Sequence, residues 1–182
     1  MDVFEAIQKR RSVRSYLPDE VPEEKIERIL DAARLAPSAG NMQPWHFVIV
    51  RDAEKRRILS RGGVFAWFLS ESPVVIAGCG NRKASPSWYT VDTAIAMQNM
   101  VLTATAEGLG TCWIGSFSEN QVKRVLKIPE DYRVVSLLAV GYPKDDRSLI
   151  DHVSDLVDRK KDLRNIASLE EFGNPFDYNT ES

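Results

Sequence analysis

The residues best suited to bind an anion lie close to the N-terminus. Three guanidiniums and one hydroxyl fall within five positions, as Arg10, Arg11, Ser12, Val13 and Arg14. Arginine binds phosphate through planar bidentate hydrogen bonds, and a serine hydroxyl with nearby backbone N–H groups can complete such a site. The alternative is a solvated basic turn after a helix, where cations complement the helix dipole. Taken alone, the solvated turn is the commoner case, and a protein-kinase recognition site is a third interpretation.

A second segment, at 37–45, reads Pro-Ser-Ala-Gly-Asn-Met-Gln-Pro-Trp. Its small and turn-forming residues indicate a loop whose backbone can approach a flat ligand closely. The alternative is an ordinary helix-to-strand connection that ends on a core tryptophan.

A third segment, at 108–116, reads Gly-Leu-Gly-Thr-Cys-Trp-Ile-Gly-Ser. It is not a dinucleotide-binding fingerprint, because the glycine spacing differs and a helix precedes it. Backbone N–H groups at the end of its strand, from Gly115 or Ser116, could face a ligand edge. The alternative is a helix C-cap followed by a turn. A late basic run begins at Arg159, and such a run is by default a solvated face.

Hydrophobic spacing predicts the elements that carry these segments. Helices are predicted at 3–9, from Pro22 to before Pro37, at 52–59 and, with a Ser118–Gln121 capping box, after 118. Strands are predicted at 45–50, 74–77, 111–114 and 134–140. The segment from Thr90 to Glu107 is apolar on nearly all sides, which predicts a helix buried in the domain or in a subunit interface. Strands that alternate with helices indicate an α/β or α+β protein.

Bulk composition narrows the function classes. The 182 residues fit one domain, and a formal net charge of −2 argues against nucleic-acid binding through bulk electrostatics. No apolar run is long enough to span a bilayer, and the first residues lack signal-peptide character, so a cytoplasmic protein is expected. Cys79 and Cys112 are expected to be reduced. The distance in sequence between His46 and His152 argues against a histidine metal site.

In this order, the three segments, followed by Val140–Pro143 and a late basic pair, resemble the nitroreductase family of FMN-dependent oxidoreductases. The resemblance covers nearly the whole chain. It implies one α+β domain over residues 1–182, with a central mixed β-sheet flanked by helices, built as an intertwined homodimer. It also implies one FMN at each subunit interface, a dimer element at 90–107, and a tail from about residue 150 that packs on the partner subunit.

The resemblance also assigns residues to FMN. Arg10 and Ser12 would reach the phosphate and ribityl end, and Arg14 would lie near the pyrimidine. Four loop residues would come from the partner subunit and lie against the isoalloxazine: Pro37, Ser38, Ala39 and Asn41. The N–H of the 114–116 segment would face flavin N5, and Arg159 would return to the phosphate. The stretch 62–68 departs from the family pattern, because it offers no amide or lysine side chain for the pyrimidine edge.

The implied reaction passes hydride from NADH or NADPH through flavin N5 to a nitroaromatic, quinone or flavin acceptor, with ping-pong kinetics. The flavin would carry the chemistry, and Arg14 would stabilise the charge that develops on it. Partners would be a second copy and a small substrate, not nucleic acid or membrane. Alternatives are a dehalogenating or flavin-cleaving enzyme, a flavin-sensing dimer without turnover, and an unliganded structural dimer. Four aromatic residues could line an acceptor pocket or belong to the core or interface: Trp67, Phe68, Trp88 and Tyr89.

Overall fold

The computed structural model describes residues 1–144 and 160–176. The helices in this part of the chain are α1 (Val3–Lys9), α2 (Glu23–Arg34), α3 (Ala53–Ser60), α4 (Tyr89–Ala106) and α5 (Glu119–Leu126). The strands are β1 (Trp45–Val50), β2 (Val74–Asn81), β3 (Gly110–Ile114) and β4 (Tyr132–Gly141). Among the described residues, no helix is both long and apolar enough to cross a membrane.

The chain divides into two compact units, Met1–Asp146 and Arg147–Ser182. The first unit contains all the helices and strands named above. In the second unit, the described residues form a short 3-10 turn at Leu163–Asn165, which is capped by the Asp162 side chain. Ser168 and Pro175 form an isolated bridge in the same unit.

The four strands form one sheet in the order β1-β2-β4-β3, and every neighbouring pair is antiparallel. The α+β class is therefore confirmed, but the strand direction differs from the mixed sheet expected from the sequence. The last residue of β1, Val50, pairs with Val75 near the start of β2. The connection through α3 therefore begins and ends at the same end of the sheet, and β2 runs antiparallel to β1. A parallel pairing occurs in the described part of the chain at the single Ser12–Thr111 bridge.

Helix α4 contacts all four strands and packs with α2 on one face of the sheet. Its sheet-facing side is fully buried and includes Met97, Met100 and Val101. On its outward side, Val91 and Ile95 remain 46% and 38% exposed. The helix is therefore buried on the side that faces the sheet and partly exposed on the opposite side, so the burial that its all-round apolar pattern predicts is incomplete within one protomer.

The other face of the sheet carries α3, α5 and the segment around Phe68. The expected Ser118–Gln121 capping box at α5 is wrong, because the Ser118 side chain makes no cap hydrogen bond. The Gln121 amide instead donates to the Ile58 carbonyl at 3.0 Å and ties α5 to the end of α3. The Gln121 side chain therefore hydrogen-bonds to a residue distant in sequence instead of forming the predicted capping box with Ser118.

Cys79 and Cys112 are both buried and reduced. Cys79 is 1% exposed, beside a β-bulge between Gly78 and Cys79. Burial raises the pKa of the Cys79 thiol from 9.0 to about 12; nearby Lys123 opposes this shift and Glu119 adds to it.

We expect Cys79 to make the fold more sensitive to alkali. Between pH 9 and 12 the unfolded chain ionises this thiol while the folded chain keeps it protonated. The free energy of unfolding should therefore fall as pH rises, by up to about 1.4 kcal/mol per pH unit from this group. Urea unfolding of the wild type and Cys79→Ala at several pH values measures the difference. Parallel pH profiles for the two proteins would contradict the assignment.

Candidate functional site

The 10–14 segment is fixed at the start of β3. The Val13 N–H donates to the Thr111 carbonyl at 2.9 Å, and the Tyr16 hydroxyl donates to the Val13 carbonyl at 2.6 Å. The Val13 side chain is 5% exposed and packs on Gly110, where a Cβ would come within 2.7 Å of Val13 Cγ2. Val13 therefore anchors the segment in the core, and its polar backbone groups already have protein partners.

The anchored segment holds polar side chains beside the sheet. Arg10, Ser12 and Arg14 are half-buried, whereas Arg11 is exposed. Because alternate residues of an extended chain point to opposite sides, the three half-buried residues lie on one side and Val13 on the other. Two guanidiniums and a hydroxyl on one side form a basic surface suited to phosphate.

The end of β3 offers an open stretch of backbone. Ile114 is buried, and its carbonyl accepts the Ser136 hydroxyl at 2.9 Å. Gly115 and Ser116 are exposed, and a Cβ built on Gly115 would meet nothing within 4 Å. Four residues separate Thr111 from Gly115, or about 13 Å along a strand. One edge strand therefore carries a basic surface at its start and accessible backbone at its end, as an elongated ligand with an anionic tail requires.

A tight turn at 62–66 packs directly against this open end. The Ser118 N–H donates to the Gly62 carbonyl at 2.8 Å, and the Ala66 N–H donates to the Gly63 carbonyl at 3.4 Å. Gly63 lies so close to Ser116 that an added Cβ would overlap the Ser116 carbonyl. Only a residue without a side chain fits at this contact.

The 62–66 turn supplies hydrogen-bond donors from its backbone instead of its side chains. The N–H groups of Gly63, Val64 and Phe65 have no acceptor within the described residues. The side chains of Val64 and Phe65 are 81% and 73% exposed. Free backbone N–H groups therefore lie beside the end of β3, in the stretch that lacks an amide or lysine side chain.

The 37–45 segment of the sequence forms a loop over residues 37–44, directly before β1. This 37–44 loop is held at a different place from the 10–14 segment, next to the start of α4. Ala39 N–H donates to Asp92 Oδ1 at 3.2 Å, and Gln43 N–H donates to Ser38 Oγ at 2.9 Å. Asn41 and Gln43 adopt left-handed φ angles of 57° and 45°. Such angles are unfavourable for residues other than glycine and are concentrated at functional sites.

The 10–14 segment and the 37–44 loop lie at opposite ends of the sheet. Asn81, at the end of β2, donates to the Pro44 carbonyl at 2.8 Å. At the start of β2, Val74 pairs with Val140, which in turn pairs with Thr111 beside the 10–14 segment. Seven residues of β2 separate these levels, or about 23 Å, and the two segments also lie at opposite edges of the sheet. One flat ring cannot contact both segments within one protomer.

The four aromatic residues fall into different environments. Phe68 is 2% exposed in the core, and Trp67 contacts it edge-on with ring centroids 5.7 Å apart. Tyr89 packs on Gly80, where a Cβ would lie 2.7 Å from Tyr89 Cδ2. Trp88, at the start of α4, is 54% exposed. The core alternative holds for Phe68, and Trp88 and Tyr89 belong to the end of the sheet that carries the 37–44 loop.

A family model described as the nitroreductase family matches residues 7–62 and 64–142. The chain belongs to this family. The match contains the 10–14, 37–44 and 108–116 segments, and its single interruption falls at Gly63 in the 62–66 turn. Arg159 and His152 lie outside the described residues.

Relatives and solved structures agree with the family. A protein of Methanothermobacter thermautotrophicus, provisionally named NADH dehydrogenase/NAD(P)H nitroreductase, is 39% identical, covering 80% of each chain. The crystal structure of a nitroreductase family protein from Clostridium novyi has a TM-score of 0.76 at 33% identity, covering 97% of each chain. An FMN-dependent nitroreductase from Clostridium difficile has a TM-score of 0.72 at 31% identity, covering 80% of this chain and 90% of that one. The nitroreductase fold is therefore confirmed.

Proposed function

We propose that the protein is an FMN-dependent oxidoreductase that passes hydride from NADH or NADPH through flavin N5 to a small nitroaromatic, quinone or flavin acceptor. The observation that carries this proposal is the edge strand β3, with a basic surface at its start and open backbone about 13 Å away at its end. The nitroreductase fold and the names of the relatives support the same reaction class. No protein side chain is required as a nucleophile. The chain would bind FMN, orient the substrates against it and adjust its reactivity.

The described residues at β3 and the 62–66 turn fit FMN. Arg10 and Ser12 would bind the phosphate and ribityl end at the start of β3. Arg14 would lie at the pyrimidine, where its guanidinium stabilises negative charge. The free N–H groups of the 62–66 turn would donate to the carbonyls at that edge and replace the missing side-chain amide. The Gly115 or Ser116 N–H would face N5.

The second wall of the site requires a second copy of the chain. The 37–44 loop lies too far from the 10–14 segment to contact the same ring within one protomer, so Pro37, Ser38, Ala39 and Asn41 would come from the partner subunit. The outward side of α4, with Val91 and Ile95, would form the centre of the homodimer. Burial of such apolar surface is the main driving force for association.

The second unit of the chain also fits a role in the dimer. Leu163, Ile166 and Leu169 are 50%, 63% and 50% exposed, and Phe172 is fully exposed. Several exposed apolar side chains in a short segment indicate a surface that is covered in the assembled protein. The tail would therefore pack on the partner subunit.

The first experiment is spectroscopic. Purified protein should be yellow and release FMN on denaturation, and NADH or NADPH should bleach the flavin under anaerobic conditions. Colourless protein that cannot be reconstituted with FMN would eliminate the proposal. A yellow protein that neither donor bleaches would favour the flavin-sensing alternative. A nitroaromatic or quinone acceptor should then restore the colour, whereas loss of the flavin itself would indicate a flavin-cleaving enzyme.

We expect mixed dimers to recover FMN binding. Arg10→Glu disables the phosphate end, and Asn41→Glu disables the partner-derived wall at an exposed position. Each variant alone should lose FMN. After co-refolding at equal amounts, half of the dimers should be mixed and each should contain one intact site, so about a quarter of all sites should rebind FMN. The measurement is FMN per subunit after gel filtration. No recovery on mixing would place both walls in one subunit.

A further inference from the structure

A buried carboxylate at the start of α4 has no role in the family assignment above. Asp92 is 3% exposed, and its two oxygens accept hydrogen bonds from different loops. Oδ1 accepts from the Ala39 N–H at 3.2 Å, and Oδ2 accepts from the Ser85 hydroxyl at 3.4 Å. Ser85 is itself 5% exposed. A buried charge is costly unless it is hydrogen-bonded, so these two contacts fix the side chain in one position.

The loop that Asp92 holds has a backbone that would relax if it were released. Gly40, Asn41 and Gln43 all have positive φ angles, and two of them are not glycine. The loop's other side-chain anchors are internal, because Ser38 Oγ and Asn41 Oδ1 both accept from Gln43. Among the described residues, Asp92 is therefore the side chain outside this loop that fastens it to the body of the protein. Residues with such angles persist only when surrounding contacts hold them.

The position of Asp92 suits this task. It lies in the first turn of α4, where the helix dipole favours a negative charge. The same helix carries the outward side assigned to the dimer centre. A group fixed on α4 can therefore set the loop relative to the subunit interface.

We propose that Asp92 is a positioning residue that acts in trans: it holds the 37–41 loop of its own subunit against the flavin bound by the partner's 10–14 segment. This proposal rests on the function proposed above. Asp92 itself does not touch the flavin. Its effect is transmitted through the Ala39 backbone.

Asp92→Ala removes both acceptors and should raise the Kd for FMN about tenfold, since the partly buried Ala39 N–H loses its partner and the loop is released. Asp92→Asn keeps an acceptor oxygen and should lose clearly less affinity. The matched control is Thr93→Val. Thr93 is the buried neighbour of Asp92, and its hydroxyl has no hydrogen-bond partner within the described residues, so its replacement should leave the Kd unchanged.

The decisive readout is again the mixed dimer, now of Arg10→Glu with Asp92→Ala. FMN affinity is measured by quenching of flavin fluorescence. If Asp92 acts in trans, each mixed dimer regains one site of wild-type affinity, or about a quarter of all sites after random mixing. If it acts within its own subunit's site, no site regains wild-type affinity, and the proposal is overturned.

Failure of the proposal can be distinguished from failure of the proposed function. Recovery by Arg10→Glu with Asn41→Glu, but not with Asp92→Ala, would overturn the role of Asp92 and leave the intersubunit flavin site standing. Equal losses of affinity in Asp92→Ala and Thr93→Val would also overturn it, because they would reflect general damage to α4. Wild-type protein that binds no FMN would overturn both.

Discussion

Arg14→Ala should slow reduction of the bound flavin by NADH or NADPH about 100-fold while weakening FMN binding far less. Arg14 is half-buried on the basic side of the 10–14 segment, whose backbone Thr111 and Tyr16 hold in place. A fixed guanidinium at the pyrimidine contributes most when negative charge develops there, whereas the phosphate end supplies much of the ground-state affinity. The expected result is therefore a loss of rate without a matching loss of cofactor.

Anaerobic stopped-flow reduction at saturating donor gives the rate, and quenching of flavin fluorescence gives the Kd. Arg14→Lys should recover only part of the rate, because an ammonium lacks the planar fork of the guanidinium. Lys9→Ala is the charge control, since it removes an exposed cation whose partner is Glu5 on the same helix. Equal losses of rate and affinity in Arg14→Ala would contradict the assignment to the pyrimidine.

Two glycines near the end of β3, Gly63 in the 62–66 turn and Gly115 next to Ser116, should respond to substitution in opposite ways. Gly63→Ala places a methyl group onto the Ser116 carbonyl, where backbone meets backbone and no flexible side chain can move aside. We expect it to destabilise the apoprotein by about 3 kcal/mol and to push the 62–66 turn away from β3. Gly115→Ala adds a methyl group that meets nothing within 4 Å. The apoprotein should keep its stability within about 0.5 kcal/mol.

The effect of Gly115→Ala should become measurable when FMN is added. Gly115→Ala should lower FMN affinity or the reduction rate about tenfold if its open side faces the flavin, since a methyl group would then stand between N5 and the backbone. Urea unfolding of the apoprotein and FMN titration give the two quantities. An apoprotein of Gly63→Ala as stable as wild type would contradict the close contact. A fully active Gly115→Ala would remove the end of β3 from the site.

Local patterns of hydrophobic spacing predicted the bounds of two elements correctly. Strand β1 and helix α1 have the predicted bounds. Strand β2 runs to Asn81, four residues beyond the prediction, because Gly78 and Gly80 carry little strand signal and pairing with β1 and β4 extends the strand. The strand directions and the use of Gln121 depend on contacts distant in sequence, which no local pattern contains.

For the candidate site too, local sequence identified some of the residues, and contacts distant in sequence determine the others. The sequence identified the basic segment, but only the pairing with Thr111 distinguishes Val13, a core anchor, from the residues beside it. The donors of the 62–66 turn were invisible because they belong to the backbone, and every residue type except proline has an N–H. The spacing of the 37–44 loop gave no indication that Asp92 would hold it, since 53 residues separate Ala39 from Asp92.

The placement of the 10–14 segment and the 37–44 loop at opposite ends of the sheet has a thermodynamic consequence. If neither wall is complete within one protomer, cofactor binding and subunit association form one linked equilibrium. Any factor by which FMN tightens the dimer must equal the factor by which dimerisation tightens FMN. Dilution of the protein would then act as a means of releasing flavin, and a supply of flavin would act as a signal for assembly.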